Sequence, residues 1–196
     1  ILSLKGVLKA DMENIRSTME KIDYNTFEDV VNNIFTAKRI YIIGLRSSMA
    51  LAEFLGFYLN IILQNVKTVG YGISDIFEQM INVGEGDLVI GIGFPRYASR
   101  TIDALAFAQD RGARVVAVTD SFLSPLATRS DYALIAQSNM ASFVDSLVAP
   151  LSVINALIIA VGMREKENIS STFNSLEEIW QEYNVYSYNN RNFGDD

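Results

Sequence analysis

Five short runs dense in β-branched and other apolar residues recur along the chain: RIYIIG (39–44), KTVGY (67–71), DLVIGI (87–92), ARVVAVTD (113–120) and YALIA (132–136). Consecutive apolar residues over so short a span suit a strand buried on both faces, and the stretches between carry the 3.6-residue spacing of helices. A strand–helix alternation repeated this often leaves little choice of architecture. It predicts an α/β fold, a three-layer αβα sandwich around a five-stranded parallel sheet, doubly wound by right-handed crossovers.

The helices follow from apolar spacing and from their start and stop signals. Leu4, Val7, Leu8, Met12, Ile15, Met19 and Ile22 fall among charges at helical spacing, so residues 1–22 form a helix that ends at Asp23–Asn25. Asn25 or Thr26 caps a second helix running to Ala37, with Phe27, Val30, Val31, Ile34 and Phe35 on its buried side. These two helices precede the first strand and are free to reach a partner subunit. Ser47 or Ser48 opens an apolar helix to about Leu63, and Ser74 caps a short one to about Ile81. A further helix ends at Arg111–Gly112, and Ser124–Pro125 signals another start. Ser142 and Asp145 have capping-box spacing ahead of a long apolar helix, and an amphipathic helix covers about Ile169–Tyr183. The last ten residues, 187–196, are polar and read as a loose tail.

Composition excludes several chemistries. The chain has neither cysteine nor histidine. It therefore lacks a disulfide framework, which fits a cytoplasmic protein, and lacks the usual general base and the usual transition-metal ligands. Neither a metal nor a cofactor is expected. A net charge of −7 argues against nucleic-acid binding by these residues. Leu147–Met163 is uncharged over 17 residues, but that falls short of the roughly 20 a membrane span needs. Its Pro150, Ser152 and Asn155 favour a buried core or subunit-interface helix.

In an open parallel sheet, ligands sit beyond the carboxyl ends of the strands, where strand order reverses. Four loops leave that edge: GLRSS (44–48), GFPRYASRT (93–101), TDSFLS (119–124) and QSNMASFVDS (137–146). Hydroxyls ahead of helix starts, with backbone amides and guanidinium groups, suit a small hydroxylated anion. The same serines also suit plain helix caps. Arg96 and Arg100 are either ligands or surface charges. Tyr97 is either a contact or a cover for the sheet end, Asp120 a contact or a brace. Glu53, one turn beyond Ser48, is either a general base or an exposed carboxylate.

Taken together, RIYIIGLRSS, the third-strand loop with FPRY, RGARVVAVTDSFLSPLA and SFVDSLVAPLSVINALI resemble the SIS (sugar isomerase) domain of RpiR-type transcriptional regulators, from about Leu8 to Tyr186. The resemblance implies a SIS-type, flavodoxin-like doubly wound sheet over residues 23–186, with residues 1–22 as an interdomain linker helix. It implies a helix-turn-helix domain ahead of that linker, beyond this chain, and operator DNA reached only through it; a chain beginning at Ile1 agrees with this. It implies a phosphorylated-sugar effector and a homodimer or tetramer, without membrane attachment and without catalysis. Carried residue by residue, the resemblance matches Ser47 and Ser48, Ser121 and Ser124, and Phe143 and Ser146 to the family's ligand loops; with Gly44 of the first loop and Gly93, Arg96, Tyr97, Ser99 and Thr101 of the third, these make up the expected effector site.

The third loop departs from the family pattern S-x-S-G-x-T, with Gly93, Pro95, Arg96 and Ala98 at the serine, serine, glycine and threonine positions. Three hydroxyls are lost, and Pro95 removes a backbone donor. Arg96, Tyr97, Ser99 and Thr101 offer a site rebuilt around a guanidinium; the effector is alternatively an unphosphorylated polar metabolite. An aldose–ketose isomerase on sugar phosphates shares the fold, but such enzymes commonly use a histidine. A ligand-free dimerisation module is the third reading.

Overall fold

The structure, a computed structural model, describes residues 3–140 and 143–186. Its seven helices and five strands follow the sequence alternation. Helices α1 (Leu4–Lys21) and α2 (Tyr24–Thr36) precede β1 (Ile40–Gly44). Then come α3 (Met49–Leu63), β2 (Val66–Val69), α4 (Ile76–Gln79), β3 (Leu88–Ile92), α5 (Ser99–Asp110), β4 (Arg114–Thr119) and β5 (Tyr132–Ile135). Two long helices close the described chain, α6 (Val148–Arg164) and α7 (Lys166–Glu182).

All four strand pairings are parallel, in the order β2–β1–β3–β4–β5. Every residue of β1 and β3 is buried, as consecutive apolar residues require when helices cover both faces. One face of the sheet (Ile40, Ile42, Ile90, Val116, Leu134) packs against α2, α3 and α6 through Val31, Ile34, Leu55, Ile154 and Leu157. The other face (Tyr41, Ile43, Val89, Val115, Ala117) packs against α4 and α5 through Ile76, Leu105 and Ala108. The α/β sandwich and its five-stranded parallel sheet are therefore as the apolar runs predict.

Helix starts differ from expectation in four places. Asp23, not Asn25 or Thr26, caps α2, its carboxylate accepting the N–H of both Asn25 and Thr26. Asp75, not Ser74, caps α4, in a box whose return bond runs from the Asp75 N–H to Glu78 at 2.9 Å. Carboxylates prevail over neighbouring hydroxyls because they accept more strongly and suit the positive end of the helix. Ser124–Pro125 opens only a single 3₁₀ turn, Ala127–Arg129, with Ser124 Oγ accepting the Ala127 N–H at 3.1 Å. The expected capping box ahead of α6 does not form its start: α6 begins at Val148, and Leu147 flanks it without a side-chain cap. Ser142, the expected cap, and the polar tail 187–196 both lie outside the described residues.

Helix α6 buries Ala149, Pro150, Val153, Ile154, Leu157 and Val161 in the core, while Val148, Ile159 and Met163 stay exposed, so the core accounts for only part of its apolar character. No single helix among the described residues is long and apolar enough to cross a membrane. Helix α1 is turned the other way from an ordinary amphipathic helix. Its buried residues are polar, Asn14 and Thr18, while Leu4, Leu8, Met12 and Met19 point outward and are exposed.

Candidate functional site

The strand order reverses between β1 and β3, one chain segment leaving toward β2 and the other toward β4. Gly44 and Ile92 are register partners, so the two strands end level and their exit loops diverge from one point. A cavity of about 660 Å³ opens there. Its walls are Leu45–Ser48 after β1, Tyr71 beyond β2, Ile92–Phe94 and Arg96–Thr101 after β3, and Asp145.

The loop after β1 reaches this cavity by folding tightly over its own strand. Arg46 adopts a left-handed backbone (φ 58°), uncommon outside glycine, and a 3₁₀ turn, Arg46–Ser48, leads into α3. Neither Ser47 nor Ser48 spends its hydroxyl on capping the turn or the helix. In the third loop, α5 begins without a side-chain cap; Thr101 and Ile102 donate their N–H to the Ala98 carbonyl, while Ser99 and Arg100, ahead of them, line the cavity. Thr101, in the first turn of α5, is 1% exposed, and its Oγ1 has no hydrogen-bond partner. Buried hydroxyls are nearly always satisfied, and this one belongs to the cavity wall.

The charges are distributed unequally. Arg100 is committed to Asp75 in an ion pair and lies over the Phe77 ring, 4.9 Å from its centroid. Arg46 and Arg96 have no ion-pair or hydrogen-bond partner for their guanidinium groups among the described residues. Tyr97 donates its hydroxyl to Asp120 Oδ1 at 2.7 Å. Burial and then the Asp120 carboxylate hold its phenol well above the ordinary tyrosine range, so Tyr97 stays a neutral donor. Guanidinium groups, hydroxyls and a helix N-terminus are the groups that suit an anion, and the Asp145 carboxylate on the same cavity is one that accepts hydroxyls.

Of the twelve residues singled out from sequence, Ser47, Ser48, Gly93, Arg96, Tyr97, Ser99 and Thr101 converge on the cavity. Gly44 lies just beneath it, where a Cβ would meet the Ser48 carbonyl oxygen at 2.6 Å. Ser121, Ser124, Phe143 and Ser146 are not among its lining residues. Ser121 Oγ accepts the Leu123 N–H and Ser124 Oγ the Ala127 N–H, so both hydroxyls shape the turn after β4. Ser146 donates to Asp11 on α1 at 2.6 Å, and Phe143 is exposed to solvent. Glu53 is exposed and outside the cavity. Sequence reasoning passed over Arg46, Tyr71 and Asp145. Arg46 carried a usable signal, as a cation between a strand end and two serines, and so did Asp145, as a carboxylate in the 137–146 loop placed at the same edge.

Among the described residues no group of carboxylates is disposed to hold a metal ion. Comparison with known proteins bears on the same region. The family model described as the SIS domain matches residues 33–160. An uncharacterized HTH-type transcriptional regulator of Haemophilus influenzae is 26% identical over 175 residues, covering 87% of this chain. The chain spans 60% of that regulator's length. The sugar isomerase domain of the RpiR transcription factor from Sphaerobacter thermophilus superposes with a TM-score of 0.84 at 30% identity, over 88% of this chain and 96% of that one. The Vibrio vulnificus NanR protein, in complex with ManNAc-6P, shares the fold with a TM-score of 0.77 at 18% identity, over 92% and 69% of the two chains.

Proposed function

Because this chain belongs to the SIS domain family, we propose that it is the effector-sensing and oligomerisation domain of an RpiR-type transcriptional regulator. The observation that carries this reading is the cavity at the strand-order switch, lined by Arg46 and Arg96 together with Ser47, Ser48, Ser99 and Thr101, with no partner for either guanidinium among the described residues. Such a wall suits a phosphorylated sugar: the phosphate takes the guanidinium side and the α5 N-terminus, and the polyol takes Asp145 and the serines. The sugar phosphate held by NanR supports that class of ligand. In this reading Arg96, Ser99 and Thr101 replace the hydroxyls absent from the third loop.

Catalysis is not part of the proposal. Aldose–ketose isomerisation moves a proton between adjacent carbons and needs a base poised over them. The chain has no histidine, and Glu53 is exposed and not among the residues that line the cavity. Residues 1–22 serve as the linker to a helix-turn-helix domain that contacts operator DNA, in keeping with the greater length of the Haemophilus relative. The outward apolar residues of α1 support assembly into a homodimer or tetramer, and the cysteine-free composition supports a cytoplasmic location.

The test is calorimetric titration with N-acetylmannosamine 6-phosphate, glucose 6-phosphate, ribose 5-phosphate and the free sugars. A phosphorylated member binds, and Arg96→Ala weakens it about 10- to 150-fold, the worth of one charge-assisted hydrogen bond of about 1.5–3 kcal/mol. Absence of heat with every member at millimolar concentration overturns the effector assignment.

A further inference from the structure

Helix α1 is held to the rest of the molecule by an unusual set of contacts. Three side chains on one stripe, Asp11, Asn14 and Thr18, receive the segment that leaves β5. Thr18 Oγ1 accepts the Gln137 N–H at 2.8 Å. Asn14 pairs with Asn139 in both directions, Nδ2 donating to its carbonyl at 3.1 Å and Oδ1 accepting its N–H at 3.3 Å. Asp11 Oδ1 accepts the Ser146 hydroxyl at 2.6 Å.

Both ends of that segment lead directly to the cavity. Asp145, next to Ser146, is a wall residue. Gln137 donates through Nε2 to the Asp120 carbonyl at 3.4 Å, and Asp120 in turn accepts the hydroxyl of Tyr97, another wall residue. The chain of contacts from cavity to helix is unbroken on each side. Its members at the helix, Asn14 and Thr18, are 2% and 5% exposed, so losing a partner leaves a buried polar group unpaired.

Resting on the effector reading above, we propose that Asp11, Asn14 and Thr18 are positioning residues of the ligand cavity and that α1 is its output. A ligand that touches Asp145 and Tyr97 fixes both ends of the segment and thereby tightens the docking of α1. Coupling between two sites is reciprocal, so a docked α1 raises ligand affinity by the same factor. The exposed Leu8, Met12 and Met19 travel with the helix, and whatever they pack against feels the ligand.

Hydrogen-exchange mass spectrometry on the full chain tests this, with N-acetylmannosamine 6-phosphate, glucose 6-phosphate and inorganic phosphate as probes. With a probe that calorimetry shows to bind, exchange of α1 amides slows at least about fivefold, the low end of typical coupling. Thr18→Val weakens the same probe by a similar factor although residue 18 is not in the cavity; a merely structural Thr18 leaves affinity unchanged. Binding without any change in α1 exchange, or Thr18→Val with full affinity, overturns the coupling and leaves the effector site standing. If no probe binds, the effector reading falls, and Tyr97→Phe decides the coupling by itself. Faster α1 exchange in that variant upholds it, and unchanged exchange overturns it.

Discussion

Replacing Gly44 by alanine probes the hinge on which the cavity is built. A Cβ at this position would lie 2.6 Å from the Ser48 carbonyl oxygen, 3.1 Å from the Ser48 carbonyl carbon and 3.2 Å from the Ala52 Cβ. Two of these obstacles are backbone and the third is the first atom of a helical side chain, so none can swing aside. The 3₁₀ turn and the first turn of α3 must lift off β1. Overpacking of this kind costs about 1–3 kcal/mol, and backbone obstacles put Gly44→Ala in the upper half of that range. For a chain of this length about 2–3 kcal/mol corresponds to a fall in Tm of roughly 4–12 °C. Urea or thermal unfolding followed by circular dichroism measures it. Ser47 and Ser48 ride on the displaced turn, so anion affinity falls as well. Gly72→Ala is the matched control, since its Cβ would meet nothing within 4 Å. A Gly44→Ala protein as stable as the Gly72→Ala control would refute the claim that α3 closes directly onto the end of β1.

Two further outcomes follow from the core and from the titration of the site. Leu55 is fully buried in the helix layer under β1, and Leu55→Ala lowers unfolding free energy by about 2–5 kcal/mol in urea titrations; a loss below 1 kcal/mol would mean the layer collapses to fill the space. Tyr97 has a raised pKa, so its contribution to stability is fully present below about pH 10, the unfolded-state value, and is lost as pH rises through the folded one. Alkaline unfolding curves show this loss in the parent and not in Tyr97→Phe; identical curves would refute it.

The centre of the sheet was legible because β1, β3 and most of β4 are short, nearly continuous apolar runs, whereas β2, with exposed Lys67 and Thr68, was placed by its position in the strand–helix alternation. The helix caps were less legible, since Asp23 competes with Asn25 and Thr26, and Asp75 with Ser74, within two or three positions of one another. Spacing alone does not rank a carboxylate against a hydroxyl. The start of α6 at Val148 was not legible, since Ser146 just ahead of it spends its hydroxyl on Asp11 of α1, a tertiary contact that local spacing does not show. Around the cavity, the β1 and β3 loops could be found from strand order. Asp145 lies in the 137–146 loop placed at the same edge but was read there as part of a helix cap, and Tyr71 was read as the end of a strand that stops at Val69. Conversely, Ser121 and Ser124 lie at the right strand end, yet the turn itself uses their hydroxyls.

The inside-out character of α1 has a thermodynamic consequence. Its inward stripe of Gly6, Ala10, Asp11, Asn14, Ser17 and Thr18 contains no large apolar side chain. Heat-capacity change and denaturant m-value both scale with the surface exposed, and apolar surface dominates the former. The inward face of α1 itself therefore contributes little to the heat-capacity change of unfolding. Its docking rests on hydrogen bonds such as Asn14–Asn139 and Thr18–Gln137, so cooling does not weaken it as it weakens a hydrophobic contact.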